Sequence, residues 1–531
     1  MRVTLVHPAG FNFVPGQPDF SVLANRMAPI GILQLASWLE KHGHPTAVHD
    51  CLGPHAPKGI EANADVVLAT KPDLVGFSAT TAAFMDAADI AVELRRKRPG
   101  IRVVFGNVHV SSIGAPILEH FPEIDYLVIG EGEGAMLDLA EGKAPKDIPN
   151  LVWRDGDQIV SNPRRERIRD LDELPFPAWE KLEGFPHGYH LPLFAYAKRH
   201  GATMITSRGC PYTCSFCDRT VFERLYKVNS AQYVYEHMKH LRDRFGVHHI
   251  NFYDDLFTAH KKRVNELCDL LIAKPLGMDF NCAIRTGHTS DEMLARLKRA
   301  GALMVSMGIE SADPEMMARH KAGVSLDAVK KTVEQIHAAG LRAKGLFIFG
   351  MPGETPETIK ATSDFILSLD LDEMNMTKFS PLHGAPIWHE CTRGDLDEDW
   401  RLMNCLNFVY KPEGFESREQ MDELYNWHVR RFYDSKGYRR RFAKRLWQHR
   451  WSLWHVVKNL PTIVQAARYF SANRAELERM SRDFPPHPRQ PRGLEPSLSP
   501  ELQADAIAAM SPIKVSRRVR PEAKAAYATG V

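Results

Sequence analysis

"ATMITSRGCPYTCSFCDRT", residues 202–220, runs from an apolar strand pattern into a loop bearing Cys210, Cys214 and Cys217. The strand reading ends at Gly209, so the three cysteines lie just beyond its carboxyl end. A disulfide takes two thiols, and a closed structural zinc site takes four ligands at metal-ligand spacing. Asp218 is adjacent but reaches poorly, and the next cysteine, Cys268, falls within a helical pattern far downstream. Three soft thiolates without a fourth partner leave one coordination position open.

Downstream of the triplet, five more strand patterns follow: "HINFYDD" (249–255), "DFNCAIR" (279–285), "LMVSMGIE" (303–310), "AKGLFIFG" (343–350) and "EMNMTKFS" (373–380). Amphipathic helices separate them. In "TSDEMLARLKRAG" (289–301), Thr289 or Ser290 supplies the cap and Gly301 the stop. Such alternation predicts a partial (β/α)6 barrel over 201–390, whose chemistry sits at the strand carboxyl ends. Those ends carry the cysteines, Asp254-Asp255, Arg285, Glu310-Ser311 and "GMPGET" (350–355).

Upstream, "RVTLVHP" (2–8), "TAVHDC" (46–51), "LVGFSA" (74–79), "IRVVFGN" (101–107) and "YLVIGEGE" (126–133) alternate with helical patterns. They predict an α/β domain over 1–145, a Rossmann-like doubly wound sheet with its ligand crevice at the strand carboxyl ends. Gly106, His109, Gly130, Gly132 and Gly134 lie at those ends, where a glycine lets backbone come close to a ligand or simply makes a tight turn. A linker over 146–200 contains a hairpin, "LVWRDGDQIV", turning at Asp155-Gly156, and Pro175 and Pro177 forbid regular structure further along it.

The chain's 531 residues exceed one core, and 44% hydrophobic with 25% charged residues is the composition of a soluble globular protein. No apolar run reaches the roughly 18 residues of a membrane span, and Met1-Arg2 leads straight into a strand pattern. Eight cysteines, three of them clustered, point to a reducing cytoplasm. The net charge of +3 is uneven. Ten Lys or Arg face one acidic residue between Arg430 and Lys458, a local +9 that leaves −6 elsewhere.

Three thiolates suit zinc, copper(I) or an iron–sulfur cluster, and a cubane can be held through three of its irons while the fourth binds a chelating small molecule. The Cys-x3-Cys-x2-Cys spacing, with Phe216 before the last cysteine, resembles the radical S-adenosylmethionine (SAM) superfamily over about residues 200–385. The resemblance implies a [4Fe-4S] cluster on Cys210, Cys214 and Cys217, SAM bound to its open iron, and hydrogen abstraction by a 5′-deoxyadenosyl radical. It also implies an external electron donor such as flavodoxin or ferredoxin. By position, Asp254 or Asp255 would meet the SAM amino group, Arg285 its carboxylate, and Glu310 with Ser311 the ribose. Met351 to Thr355, the loop containing Pro352 and Gly353, would lie near the adenine, and Phe216 would also belong to the SAM site.

The first 145 residues are similar to the cobalamin-binding module that precedes the barrel in one radical SAM subfamily, through "PIGILQLASWLEKHGH", "LVGFSA", "GNVHVSSIG" and "YLVIGEGEG". That similarity implies cobalamin against Gly106, His109, Gly130, Gly132 and Gly134. The Asp-x-His-x-x-Gly loop of many cobalamin proteins is absent, and neither His7 nor His109 has its spacing, so the lower cobalt ligand is unassigned. A second cysteine set, which methylthiotransferases carry, is also absent. The implied function is methylation of an unactivated carbon of a large, apolar substrate. Radical oxidative cyclisation, as in the similar anaerobic Mg-protoporphyrin ester cyclases, and a non-catalytic cobalamin or redox sensor are the alternatives.

From 391 to 482 the pattern turns helical. Within 438–460, Phe442, Leu446, Leu453, Val457 and Leu460 share one face, flanked by Trp447, Trp451 and Trp454 amid the basic residues. Such a helix can dock on the barrel, line an apolar cavity, or touch an anionic membrane surface; the aliphatic stripe argues against nucleic acid. The Pro-rich tail, 483–531, is expected to lack fixed structure.

Overall fold

The computed structural model describes residues 1–10, 26–446, 449–461 and 485–504, apart from 193, 194, 197, 199 and 322, plus scattered positions between 464 and 472; the side chains of 444, 451 and 455 are also not described.

The first sheet takes the five upstream strand patterns as β1 (Val3–His7), β2 (Thr46–Asp50), β3 (Leu74–Ser78), β4 (Arg102–Gly106) and β5 (Tyr126–Val128), parallel in the order β2-β1-β3-β4-β5. Alternation assigns the two faces. Val3 and Leu5 pack with α1 (Ile30–Lys41), while Val6 and Phe77 pack with α2 (Ile60–Ala69) and α3 (Phe84–Lys97). Two short helices follow β4, α4 (Val108–Ile113) and α5 (Pro116–His120), and α6 (Glu133–Glu141) returns to the α1 side. Strand order reverses between β1 and β3, which places a ligand crevice above their carboxyl ends.

The hairpin read as part of a linker joins this sheet. Strands β6 (Leu151–Asp155) and β7 (Gln158–Ser161) add antiparallel to β5, and Leu151 and Val152 enter the two cores of the first domain. The next strand, β8 (Gly201–Met204), opens the second unit. After it, β9 (Ser207–Arg208) pairs with β10 (Lys227–Val228) across the cysteine loop.

The second sheet is wholly parallel in sequential order: β8, β11 (His249–Phe252), β12 (Asp279–Ile284), β13 (Ala302–Glu310), β14 (Arg342–Phe349) and β15 (Glu373–Lys378). Helices α7 (Ala231–Phe245), α8 (Lys261–Ala273), α9 (Asp291–Arg299), α10 (Pro314–His320), α11 (Leu326–Ala338) and α12 (Pro356–Ser368) connect the strands. Their caps are legible locally: Ser230, Ser290 and Ser325 each accept from the N3 backbone N–H, and Thr355 forms a capping box with Thr358. The result is the half-barrel that the strand spacing predicts.

Several residues beyond the barrel pack into the cores already described. α13 (Trp388–Cys391) and the following loop send Trp388 and Trp400 into the core of the first domain. A two-stranded ribbon, β16 (Asp395–Leu396) with β17 (Tyr410–Lys411), leads to α14 (Arg418–Tyr433), which packs on α12. The basic segment read as one helix is two, α15 (Lys436–Leu446) and α16 (Arg450–Lys458). Arg445 is buried against Asp372 and Arg441 pairs with Asp370 at 2.9 Å, so α15 docks on the barrel. Trp447 lies outside the described residues.

The Pro-rich tail corrects the expectation of missing structure over 485–504. Arg489 pairs with Asp89 at 2.9 Å and with Glu123. Gly493 N–H donates to Glu398, Ser497 N–H donates to the Ser112 carbonyl, and Leu498 and Leu502 are buried. These contacts are polar and specific, so low hydrophobicity alone does not forecast disorder here.

Candidate functional site

Antiparallel pairing of β9 with β10 closes the cysteine loop at its base. Gly209 follows β9 at φ +80°, and a Cβ there would fall 1.8 Å from the Leu225 carbonyl oxygen, so only glycine fits. Beyond it, Cys210, Cys214 and Cys217 face one another closely enough for their charges to interact, and Asp255, Arg285 and Glu310 lie in the same field. Burial raises the Cys210 thiol pKa, and the Asp255 carboxylate and Cys214 add to it while Arg285 opposes. A metal cluster held there would supply the positive charge that such crowded thiolates require. Among the described residues, no three His, Cys, Asp or Glu side chains converge as ligands of a single ion. A cubane instead takes each thiolate on a different iron, and the three-thiol set fits that chemistry.

Three contacts fix the loop. The Ser215 N–H donates to the His320 carbonyl at 3.2 Å, and the Ile387 N–H donates to the Ser215 carbonyl at 3.0 Å. The His320 ring lies between the Ser215 hydroxyl at 2.8 Å and the Pro352 carbonyl at 2.9 Å. Burial lowers its pKa to about 4, so the ring is neutral. A carbonyl only accepts; hence Nε2–H donates to Pro352 and Nδ1 accepts from Ser215. His320 thus ties the cysteine loop to the "GMPGET" loop, and Phe216 packs between them with Met316 and Met351. Asp218, too short to act as a fourth ligand, accepts from Ser112 at 2.8 Å and from Gly384 N–H at 3.2 Å, anchoring the loop to the first domain.

The remaining expected SAM contacts divide. Asp255 is exposed toward the cysteines, and Arg285 stacks on Tyr212 of the cysteine loop at 3.8 Å. Glu310 follows a bulge in β13, adopts φ +68°, and pairs with Lys321 at 2.8 Å. Asp254 does not open to a ligand: it is buried and accepts from Thr206 N–H at 2.8 Å and from the Thr206 and Ser207 hydroxyls. Consecutive residues leaving a strand point opposite ways, so one aspartate faces the loop interior and its neighbour the cysteines. Ser311 is also turned inward, 1% exposed, with its hydroxyl accepting from Asp313 N–H and 3.4 Å from that of Thr362.

The Glu354 carboxylate closes the "GMPGET" turn by accepting from the N–H groups of Gly350 and Met351. Burial pushes its pKa up to about 8, from an ordinary 4.5, although those two donors oppose the shift. Between these values the folded state keeps a proton that the unfolded chain has released, so stability falls as pH rises through the window. Glu354→Gln should flatten that fall while keeping an acceptor for both N–H groups. Urea unfolding at pH 6 and pH 9 checks this; equal pH dependence in both proteins would refute it.

In the first domain a cavity of about 200 Å³ lies under the carboxyl ends of β1 and β3–β5. Its walls are apolar, with Leu5, Leu35, Val104 and Met136, and its rim carries Gly106, Gly130 and Gly132. A Cβ on Gly76 would meet Leu5 at 3.0 Å and Met136 at 3.3 Å, so glycine lets those two side chains close the floor of the slot, whose apolar lining and size accept an aromatic ring. That shape suits the nucleotide base of a corrinoid. Two expected residues do not line it. His109 is 1% exposed, packed against Phe84, Trp400 and His383, because α4 turns its ring away from the crevice. Gly134 lies under the Arg165 side chain, which a Cβ would meet at 2.7 Å.

The two sites share a residue. Arg208, two positions before Cys210, lines the first-domain cavity and forks onto Glu131 at 2.7 Å and Glu133 at 2.5 Å. Burial disfavours its charge, but Glu133 and Glu131 outweigh that and raise its pKa. Sequence reading took only the glycines from "GEGEG" and missed these carboxylates, whose partner lies 75 or more residues away.

A radical SAM superfamily model matches residues 204–366, and a B12 binding domain model matches 17–140. An uncharacterised methyltransferase of Pyrococcus horikoshii is 30% identical over 414 residues, covering 75% of this chain and 85% of that protein. An anaerobic magnesium-protoporphyrin IX monomethyl ester cyclase of Rubrivivax gelatinosus is 26% identical over 451 residues, 82% of this chain and 78% of that one. Among solved structures, the radical SAM methyltransferase TsrM of Kitasatospora setae, with tryptophan and a SAM analogue bound, has a TM-score of 0.60 at 20% identity, covering 80% of this chain and 83% of its own. The chain belongs to the radical SAM enzymes that carry a B12-binding domain. Its cofactors are accordingly a [4Fe-4S] cluster, SAM and cobalamin.

Proposed function

We propose that this enzyme transfers a methyl group to an unactivated carbon of a large, apolar substrate. The observation that carries the reading is Arg208, which borders both the corrinoid slot and the cysteine loop and so keeps the two centres adjacent. When bound, the cluster with SAM supplies hydrogen abstraction, and the corrinoid supplies a transferable methyl group.

In this reading Cys210, Cys214 and Cys217 hold the cluster, and His320 sets their loop against the SAM site. Asp255 takes the SAM amino group and Arg285, held flat by Tyr212, its carboxylate. Lys321 orients Glu310 toward the ribose, while Phe216, Pro352 and Gly353 shape the adenine site. Gly106, Gly130 and Gly132 let the corrinoid approach the sheet edge. Four of the other five cysteines are buried in the cores, which favours an external flavodoxin or ferredoxin as reductant. On α16, Leu453, Trp454 and Val457 are 43–60% exposed beside basic residues, which supports contact with an anionic lipid surface or an apolar substrate. No described helix is long and apolar enough to cross a membrane.

The test uses anaerobically reconstituted protein loaded with corrinoid and incubated with extracts of a strain lacking the gene. Methyl-labelled SAM should deliver its label to one extracted species. A ring-closed product without label would replace methylation by cyclisation, the activity named for the Rubrivivax relative.

A further inference from the structure

A second cavity, about 490 Å³, adjoins the corrinoid slot and shares Gly130, Glu131 and Val221 with it. Its lining carries the cations Arg164, Arg165, Arg167, Arg169 and Lys227 against the carboxylates Glu131, Glu166 and Glu223. Most are matched. Arg165 pairs with Asp138 and Arg167 with Glu223 at 2.9 Å. Both Glu131 oxygens are engaged, one by Arg208 and the other by the Ile168 N–H at 3.2 Å. Two cations have no carboxylate in hydrogen-bond or ion-pair contact among the described residues, although Glu223 acts on Arg164 at longer range. Lys227 donates only to the neutral Ile168 carbonyl, and Arg164 makes no hydrogen bond or ion pair among the described residues. The Arg164 guanidinium stands over Gly130, with Nη1 3.0 Å from where a Cβ would be, directly at the rim of the slot.

We propose that Arg164 and Lys227 form an anion site for the phosphodiester of the corrinoid's nucleotide arm. The inference rests on the corrinoid reading of the slot. If the apolar cavity takes the flat base, the ribose and phosphate attached to that base must leave through its mouth, where Gly130 and Arg164 stand. The phosphodiester is the single anionic group of that arm, and the corrin side chains are neutral amides. A guanidinium fork and an ammonium on one phosphate form charge-assisted bonds that neutral donors cannot replace. Arg164 keeps solvent access at the cavity mouth; desolvation lowers its pKa, Glu223 partly opposes this and Arg167 adds to it.

Cobinamide, which keeps the corrin ring and lacks the nucleotide arm, isolates the contact. Dissociation constants for cobalamin and cobinamide are measured by absorbance on the full chain, for the native protein, Arg164→Ala, Lys227→Ala and Arg164→Lys. Cobalamin should weaken about tenfold or more in Arg164→Ala and by a smaller factor in Lys227→Ala, with cobinamide unchanged in both. Arg164→Lys should recover part of the loss. Equal weakening of both corrinoids, or of neither, overturns the phosphodiester site alone. Native protein that retains neither corrinoid overturns it together with the methyl-transfer reading.

Discussion

Cys214→Ala should abolish cluster assembly and reduce SAM cleavage to background, whereas Cys405→Ala should leave both intact. Cys214 is the middle of three thiols whose loop is fixed from three sides, by His320, Ile387 and Asp218, so the loop cannot shift to bring another thiolate into its place. Asp218, adjacent in sequence, has its carboxylate committed to Ser112 and Gly384. Cys405 is held at the end of β15, its N–H donating to the Ser380 hydroxyl and its carbonyl accepting from Lys378 N–H, and it is not one of the three loop thiols. Iron content, the anaerobic spectrum with and without SAM, and 5′-deoxyadenosine yield are the readouts. SAM cleavage at the native rate by Cys214→Ala would remove the basis for the cluster assignment.

The second large effect is expected at Arg208. Its guanidinium, 16% exposed, answers two carboxylates that are themselves 11% and 5% exposed. Removing one partner of a buried ion pair typically costs about 3–5 kcal/mol, because the remaining charge is stranded. Arg208→Ala should therefore lower the thermal midpoint by at least about 5 °C and weaken corrinoid retention, since the side chain also lines the slot. Arg208→Lys should recover part of the stability, an ammonium meeting one carboxylate but not forking across both. Removing the two carboxylates as well, in a triple Arg208→Ala, Glu131→Gln, Glu133→Gln variant, should be less harmful than Arg208→Ala alone. If the triple variant is the less stable of the two, stranded charge is not the cause.

Strands of both sheets were legible because each is a short apolar run closed by glycine or a polar residue, a signal contained within a few neighbours. The cysteines were legible for the same reason: their spacing is local. What escaped was set by partners distant in sequence. "LVWRDGDQIV" reads as a hairpin from its own turn, yet nothing in it says that it extends the first sheet beside β5. Trp400 reads as part of a helical region, while its burial in the first domain depends on Phe84 and His109, which no period reveals. His320 meets Ser215 across 105 residues. Asp254 and Asp255 were indistinguishable as a pair because strand-end direction, set by β8 and Thr206, decides which of them is free for a ligand.

The strap over 485–504 bears on how the molecule is made. It seals the face formed by Asp89, Ser112 and Glu123 with residues that leave the ribosome long after that face does. The first sheet can pair its strands early, but the ion pairs and the tryptophan docking that cover it await later segments, the His487 contact to Asp89 spanning 398 positions. The domain translated before the barrel is therefore one whose surface is completed only after the barrel has been made.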